Sequence, residues 1–236
     1  MITVLREGNV VNGDGKTPPF IADVWVQSNT IIKVLPYLRG TPPSLPIATH
    51  NVISCKNHIV TPGWVDQHTH YDGQVTWDPY LSPSANAGVT TAIMGNCGIG
   101  FAPVRQSSQE RAFLLGLVEA VEDIPQAALA VGIDWSWETF PEYLDKIDST
   151  PLAMDVGVLI GHAPVRAYIL GERASISDRP GGPLNNDITV DEIEQMATCV
   201  EEAVAHGAMG FSTSRLILHR DSSGSLTPGS LATESE

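Results

Sequence analysis

The sequence predicts an α/β fold, a parallel sheet of about four strand–helix units preceded by a small all-β module. Three observations predict it. From residue 61 onward, compact β-branched runs alternate with amphipathic helical stretches. Residues 1–60 lack that alternation and read as short strands and turns. Capping residues and turn dipeptides stand at the joints between the runs.

In the first module, Val24-Trp-Val-Gln and the run from Ile31 to Leu35 read as strands separated by the turn-prone Ser28-Asn29. Asn12-Gly13 and Asp14-Gly15 are further turn signals. The Pro-rich residues 36–46 read as a loop. The domain division is therefore 1–60 and 61–236.

Ile59-Val60 leads through Pro62-Gly63 into Trp64-Val-Asp-Gln-His-Thr-His70, which reads as the first strand of the second domain. Residues 89–94 and 156–160 are near-continuous apolar runs, the mark of buried parallel strands. Residues 208–214 read as the next strand. A helix is predicted over 107–122, where Ser107 and Glu110 fit a capping box and Phe113, Leu114, Leu117, Val118 and Val121 share a face. Thr139 and Glu142 open another, around Tyr143, Leu144 and Ile147. Thr189 and Glu192 cap a third, with Ile193, Met196, Ala197, Val200 and Val204 expected inward and Gly207 as its terminator. A closed barrel of this kind has about eight units. The expectation is an incomplete TIM-type (β/α) barrel, with the Ser-, Thr- and Gly-rich residues 221–236 adding no closing element.

Composition excludes some functions. With 27 acidic and 13 basic residues the net charge is −14, which disfavours nucleic acid as a partner. No basic amphipathic stretch suits a membrane surface, and no apolar run has the length of a spanning helix. Cys55, Cys97 and Cys199 form no CxxC pair, and the N-terminus lacks the pattern of a signal peptide; both point to the cytoplasm.

Chemistry concentrates at three residues. The period of two places Asp66, His68 and His70 on one strand face, and two neutral imidazoles suit zinc or a similar divalent ion. Asp66 is placed to orient a ligand or tie neighbouring strands. Cys97, between glycines just after the second strand, offers either a soft thiolate ligand or a small buried hydrophobe; its position at a strand's C-terminal end favours the ligand. His162, after the third strand, is open to two roles, a contact to substrate or a structural hydrogen bond. Phe211, Ser212 and Ser214 at the fourth strand's end are open to pocket-lining or packing. For His219 and Arg220, in a polar stretch, surface exposure is expected.

The run from Pro62 to His70, with Gly88-Val-Thr-Thr91 and Gly95-Asn-Cys-Gly98, resembles the N-acyl-D-amino-acid deacylase (D-aminoacylase) branch of the amidohydrolase superfamily. Gly161-His162, Gly210-Phe-Ser-Thr-Ser-Arg215 and the N-terminal Asn12-Gly13, Gly15 and Ala22-Asp23 extend the likeness over the chain. The resemblance implies a (β/α)₈ barrel with a small β-sandwich built from both ends of the protein. It implies His68, His70 and Cys97 as metal ligands, with the thiolate in place of the carbamylated lysine of hydantoinases; no lysine stands in residues 208–214. Zinc, one ion or two, and hydrolysis of an N-acyl-D-amino acid follow from the resemblance, with the metal polarising the carbonyl and a carboxylate moving the proton. The family's remaining histidines and general base are expected beyond Glu236, so the chain is expected to be truncated and inactive or nearly so. The alternatives are a hydantoinase-like hydrolase of cyclic amides, and a non-catalytic fragment acting through assembly. Acyl and side-chain preference and oligomeric state stay open.

Overall fold

The computed structural model describes residues 1–45, 49–122, 124–175, 188–221, 224–234 and 236. The chain divides into two compact units, Met1–Gly63 and Trp64–Glu236. No helix among the described residues is long and apolar enough to cross a membrane.

The first unit is a five-stranded sheet of β1 (Ile2–Val10), β2 (Phe20–Gln27), β3 (Thr30–Pro36), β4 (Thr49–Ser54) and β5 (Ile59–Val60). The expected hairpin joins β2 to β3 through Ser28-Asn29, with Ser28 at φ 55°. β1 lies between β2, antiparallel, and β4, parallel, and also pairs with β5. The sequence signals had not marked β1 or β4. β4 pairs with β1 in parallel, which leaves no local turn to read, whereas β1 meets β2 antiparallel across the Asn12-Gly13 and Asp14-Gly15 turn signals and was within reach. Val10, Ala22 and Val24 form the core of this unit. Asp23 is fully buried beside it; its Oδ1 accepts from the Glu7 N–H at 3.0 Å and from the Tyr37 hydroxyl at 2.8 Å. Residue 46 of the expected loop lies outside the described residues, as do 222, 223 and 235 of the polar stretch.

The second unit is built on a parallel sheet in sequence order, β6 (Trp64–Asp66), β7 (Val89–Met94), β8 (Asp155–Gly161) and β9 (Gly210–Ser212). Sequential parallel neighbours require crossovers. Between β6 and β7 the described elements are two 3₁₀ turns, Gln74–Thr76 and Ala85–Ala87, while α-helices connect β7 to β8 and β8 to β9. The helices are α1 (Ser108–Glu122), α2 (Gln126–Gly132), α3 (Phe140–Asp148), α4 (His162–Leu170) and α5 (Val190–His206). The strands are shorter than expected at both edges. β6 stops before His68, and β9 covers only the middle of 208–214.

Caps decide where the helices start. Thr139 with Glu142 and Thr189 with Glu192 form complete capping boxes on α3 and α5, and Gly207 closes α5 in the left-handed conformation. On α1 the box is half-formed. Ser107 Oγ accepts from the Glu110 N–H at 3.2 Å, but the Glu110 carboxylate accepts from Arg105 N–H rather than from Ser107. On α5, Met196 and Ala203 are buried while Ala197 and Val204 are exposed, contrary to expectation. Ile193, Met196, Val200 and Ala203 follow the helical period more closely and leave Ala197 and Val204 on its flank.

α4, which begins at His162, has no counterpart among the helices expected from the sequence. Seven of its residues, among them His162, Val165 and Arg166, are buried, so no amphipathic period marks the helix. Pro164 misleads as well. It occupies the first turn, where its missing N–H has no intrahelical partner to lose. The main core gathers Met94, Phe101, Leu114, Leu117, Trp137, Tyr143 and Ile160.

Candidate metal centre

Beyond β6 the chain bends at Gln67, and from His68 to His70 its side chains alternate between exposed and buried sides. Thr69 is buried and tied to β7, its N–H and hydroxyl both donating to the Ile93 carbonyl at 2.9 and 2.8 Å. His68 and His70 therefore emerge together on the opposite side. Their Nε2 atoms lie 3.2 Å apart. Asp66 Oδ1 accepts from the His68 N–H at 3.2 Å, which steadies the start of this segment.

Cys97 arrives from the end of β7 on a 3₁₀ turn, Asn96–Gly98, and adopts φ 57°. Two glycines make the turn possible. A Cβ on Gly95 (φ 80°) would collide with the Leu159 carbonyl, and one on Gly98 (φ 72°) would stand 2.9 Å from Thr213 Cα. Asn96 fastens the turn to the histidine segment, its Nδ2 donating to the Thr69 carbonyl at 3.3 Å and the Ile93 carbonyl at 3.0 Å. Cys97 Sγ stands 3.4 Å from His68 Nε2.

One donor atom from each of His68, His70 and Cys97 lies within 4.8 Å of the other two. Zinc bonds of about 2.0–2.1 Å to nitrogen and 2.3 Å to sulfur give tetrahedral edges of about 3.3–3.6 Å. The His–His and Cys–His separations of 3.2 and 3.4 Å are edges of that size. The donor set fits a divalent ion of borderline softness. Burial, followed by the charges of His68 and His219, pushes the His70 imidazole down to about 4, so near neutrality it is in the ligating, uncharged form. Burial, Glu122 and Asp72 push the Cys97 thiol up, an effect that a cation among these donors reverses.

Carboxylates border the cluster. Glu122, the last residue of α1, places Oε1 3.2 Å from His70 Nε2. Asp72 is buried and pushed up to about 7, chiefly by that burial and against a hydrogen bond from the Gly95 N–H. An open pocket of about 350 Å³ is lined by Asp66, His68, His70, Tyr71, Ser84 and Glu122.

The other residues singled out in the sequence are distributed differently. His162 is buried, with Nδ1 3.0 Å from Thr213 Oγ1 and Nε2 3.0 Å from Glu236 Oε1, so both ring nitrogens are engaged. Phe211 stacks at a tilt on His162 with ring centroids 5.1 Å apart. The Ser212 hydroxyl is turned to the Cys97 turn, accepting from Gly98 N–H at 3.1 Å and donating to the Gly95 carbonyl. Ser214 Oγ is 3.2 Å from His219 Nδ1. His219 is half-buried rather than exposed, and its charge bears on His70. Sequence reasoning missed Glu122, Asp72 and His219. Asp72 continues the alternation of residues 66, 68 and 70 and was findable; Glu122 and His219 reach the site only through the fold.

The amidohydrolase-family model matches residues 51–223. An uncharacterized protein of Mycobacterium tuberculosis is 36% identical over 165 residues, covering 68% of this chain and 25% of its own length. The D-aminoacylase of Alcaligenes xylosoxydans xylosoxydans is 30% identical over 210 residues, covering 89% of this chain and 37% of its own length. A solved D-aminoacylase, described by its binuclear metal centre with one-metal activation and second-metal attenuation, superposes with a TM-score of 0.67 at 27% identity, over 89% of this chain and 38% of that one. The chain thus spans between a quarter and two fifths of the length of these relatives. The four sequential parallel strands and their crossover helices correspond to the architecture of that D-aminoacylase over the shared region. The chain belongs to the amidohydrolase family.

Proposed function

We propose that this chain carries metal ligands of a hydrolase acting on the C–N bond of linear amides, of the N-acyl-D-amino-acid deacylase kind. His68, His70 and Cys97 are the ligands, and zinc, one ion or two, is the metal. The convergence of two imidazoles and one thiol within 4.8 Å carries this reading. The similarity to D-aminoacylase supports the substrate class, an N-acyl amino acid, over a cyclic amide. Residues 61–236 are the first part of the barrel, and the N-terminal module is half of a β-sandwich. The free cysteines fit a cytoplasmic protein.

The chain's own residues have definable tasks. Asp66 holds the backbone of His68, and Asn96 fixes the spacing between Cys97 and the histidine segment. Glu122 stands beside His70 at the rim of the pocket, where a carboxylate can accept a proton. His219, with Nδ1 3.2 Å from Ser214 Oγ, acts on His70 through its charge. A divalent ion held there supplies Lewis acidity and an activated water at neutral pH.

Bound-metal content tests the assignment. The purified chain is expected to retain zinc, and Cys97→Ala to bind it about 10- to 100-fold more weakly. Equal zinc affinity in the two proteins removes Cys97 from the ligand set. A panel of N-acyl-D-amino acids and hydantoins, offered to the protein at the length of its relatives, tests the substrate class. Turnover of the hydantoins alone contradicts the linear-amide reading.

A further inference from the structure

Resting on the reading of Cys97 as a metal ligand, we propose that Ser212 is a positioning residue that holds the Cys97 turn, and hence the sulfur, in ligating geometry. Nothing in the sequence pairs these residues. They lie on different elements, and Ser212 meets Gly98 across 114 positions of chain. Cys97 sits at φ 57°, a conformation strained for a residue with a side chain, which persists only when its surroundings enforce it. Ser212 is placed to enforce it. Its Oγ accepts from the Gly98 N–H at 3.1 Å, and its hydroxyl proton goes to the Gly95 carbonyl. One hydroxyl thus ties both ends of the turn on which Cys97 is carried.

The surrounding packing gives this hydroxyl no ready substitute. Gly98 lies so close to the residue after Ser212 that a single Cβ would stand 2.9 Å from Thr213 Cα. On the other side of the turn, Gly95 presses on the Leu159 carbonyl of β8. Removing the hydroxyl leaves a donor on Gly98 and an acceptor on Gly95 without this shared partner. The turn is then released to relax Cys97 toward negative φ, which swings Sγ away from its 3.4 Å approach to His68 Nε2. Ser212 thereby has a defined role outside the substrate pocket.

Cobalt(II) titration of the purified chain tests this, because thiolate ligation gives a sulfur-to-cobalt charge-transfer band that reports the bond itself. Ser212→Ala is expected to bind cobalt about 10- to 100-fold more weakly, with a weaker band per bound ion. Ser212→Thr keeps the hydroxyl and is expected to restore both. A Ser212→Ala protein that binds cobalt within about twofold of the parent, with the full band, overturns the proposal. Cys97→Ala separates this failure from failure of the ligand reading. If the parent shows no band, or Cys97→Ala keeps it, Cys97 is not a ligand and both readings fall. If circular dichroism shows Ser212→Ala unfolded, amide exchange at Gly98 in the parent decides. Protection like that of a strand amide supports the clamp, and free exchange overturns it.

Discussion

The Asn96 side-chain amide donates to the main-chain carbonyl of Thr69 at 3.3 Å, so the residue before the thiol is bolted to the residue between the two histidines. The same amide also reaches Ile93, the carbonyl that accepts both the N–H and the hydroxyl of Thr69. A single carbonyl at the end of β7 therefore serves as the common anchor for both halves of the donor cluster. Relative motion of His68, His70 and Cys97 requires breaking these bonds.

Asn96→Ala removes two of them. We expect a loss of about 1–2 kcal/mol in stability. Zinc affinity is expected to fall by about tenfold, because the donors lose their common anchor. Urea unfolding of the metal-free protein and competition with a zinc chelator measure the two effects separately. Unchanged affinity would show that the cluster holds its spacing without Asn96.

Gly95→Ala places a methyl group against the Leu159 carbonyl at φ 80°. Backbone on both sides leaves no flexible side chain to give way. The expected destabilisation is at least about 3 kcal/mol. A urea midpoint equal to that of the parent would contradict the close packing of this turn on β8.

Thr189→Ala takes away the side chain that accepts from the Glu192 N–H at the start of α5. The expected cost is about 1 kcal/mol, and Thr189→Ser, which keeps the oxygen, is expected to recover most of it. Chemical denaturation of the three proteins in parallel checks the order.

Glu236 gives the acid dependence. Burial pushes its carboxyl up, but hydrogen bonds and charge from His162 and Arg166 prevail, leaving it below its ordinary value of 4.5. A carboxyl held low in the folded state contributes stability that is present above its unfolded value and lost as pH falls through its folded value. The parent is therefore expected to lose stability below about pH 4.5, with a flatter acid limb in Glu236→Gln. At pH 7 that variant is expected to cost about 3 kcal/mol, since Arg166, almost wholly buried, loses its ion-pair partner. Parallel acid limbs in the two proteins would place the acid transition on other groups.

Strong local signals were legible. The capping boxes at Thr139 and Thr189, the stop at Gly207, the apolar run of β7 and the hairpin at Ser28-Asn29 all rest on interactions within a few residues. α4 was illegible because a helix buried on all sides shows no periodicity, and Pro164 hid its first turn. β4 was illegible because its pairing with β1 is parallel and distant in sequence. β1 was legible in principle, since it meets β2 antiparallel across the turn residues 12–15.

The residues of the candidate centre divide the same way. The Asp66-Gln-His-Thr-His70 spacing by itself determines that two imidazoles emerge on one side of an extended segment, because alternation is a property of the backbone. The glycines flanking Cys97 likewise allow, from sequence alone, a turn that puts a thiol at a strand's end. Only the tertiary structure decided that this thiol comes within 3.4 Å of His68, that Glu122 stands beside His70, that the charge of His219 reaches His70, and that Ser212 bonds both ends of the Cys97 turn. It also decided that His162 spends both ring nitrogens on Thr213 and Glu236. These relations join residues up to 117 positions apart, and such distances close only when sheet register and helix packing bring separate segments together.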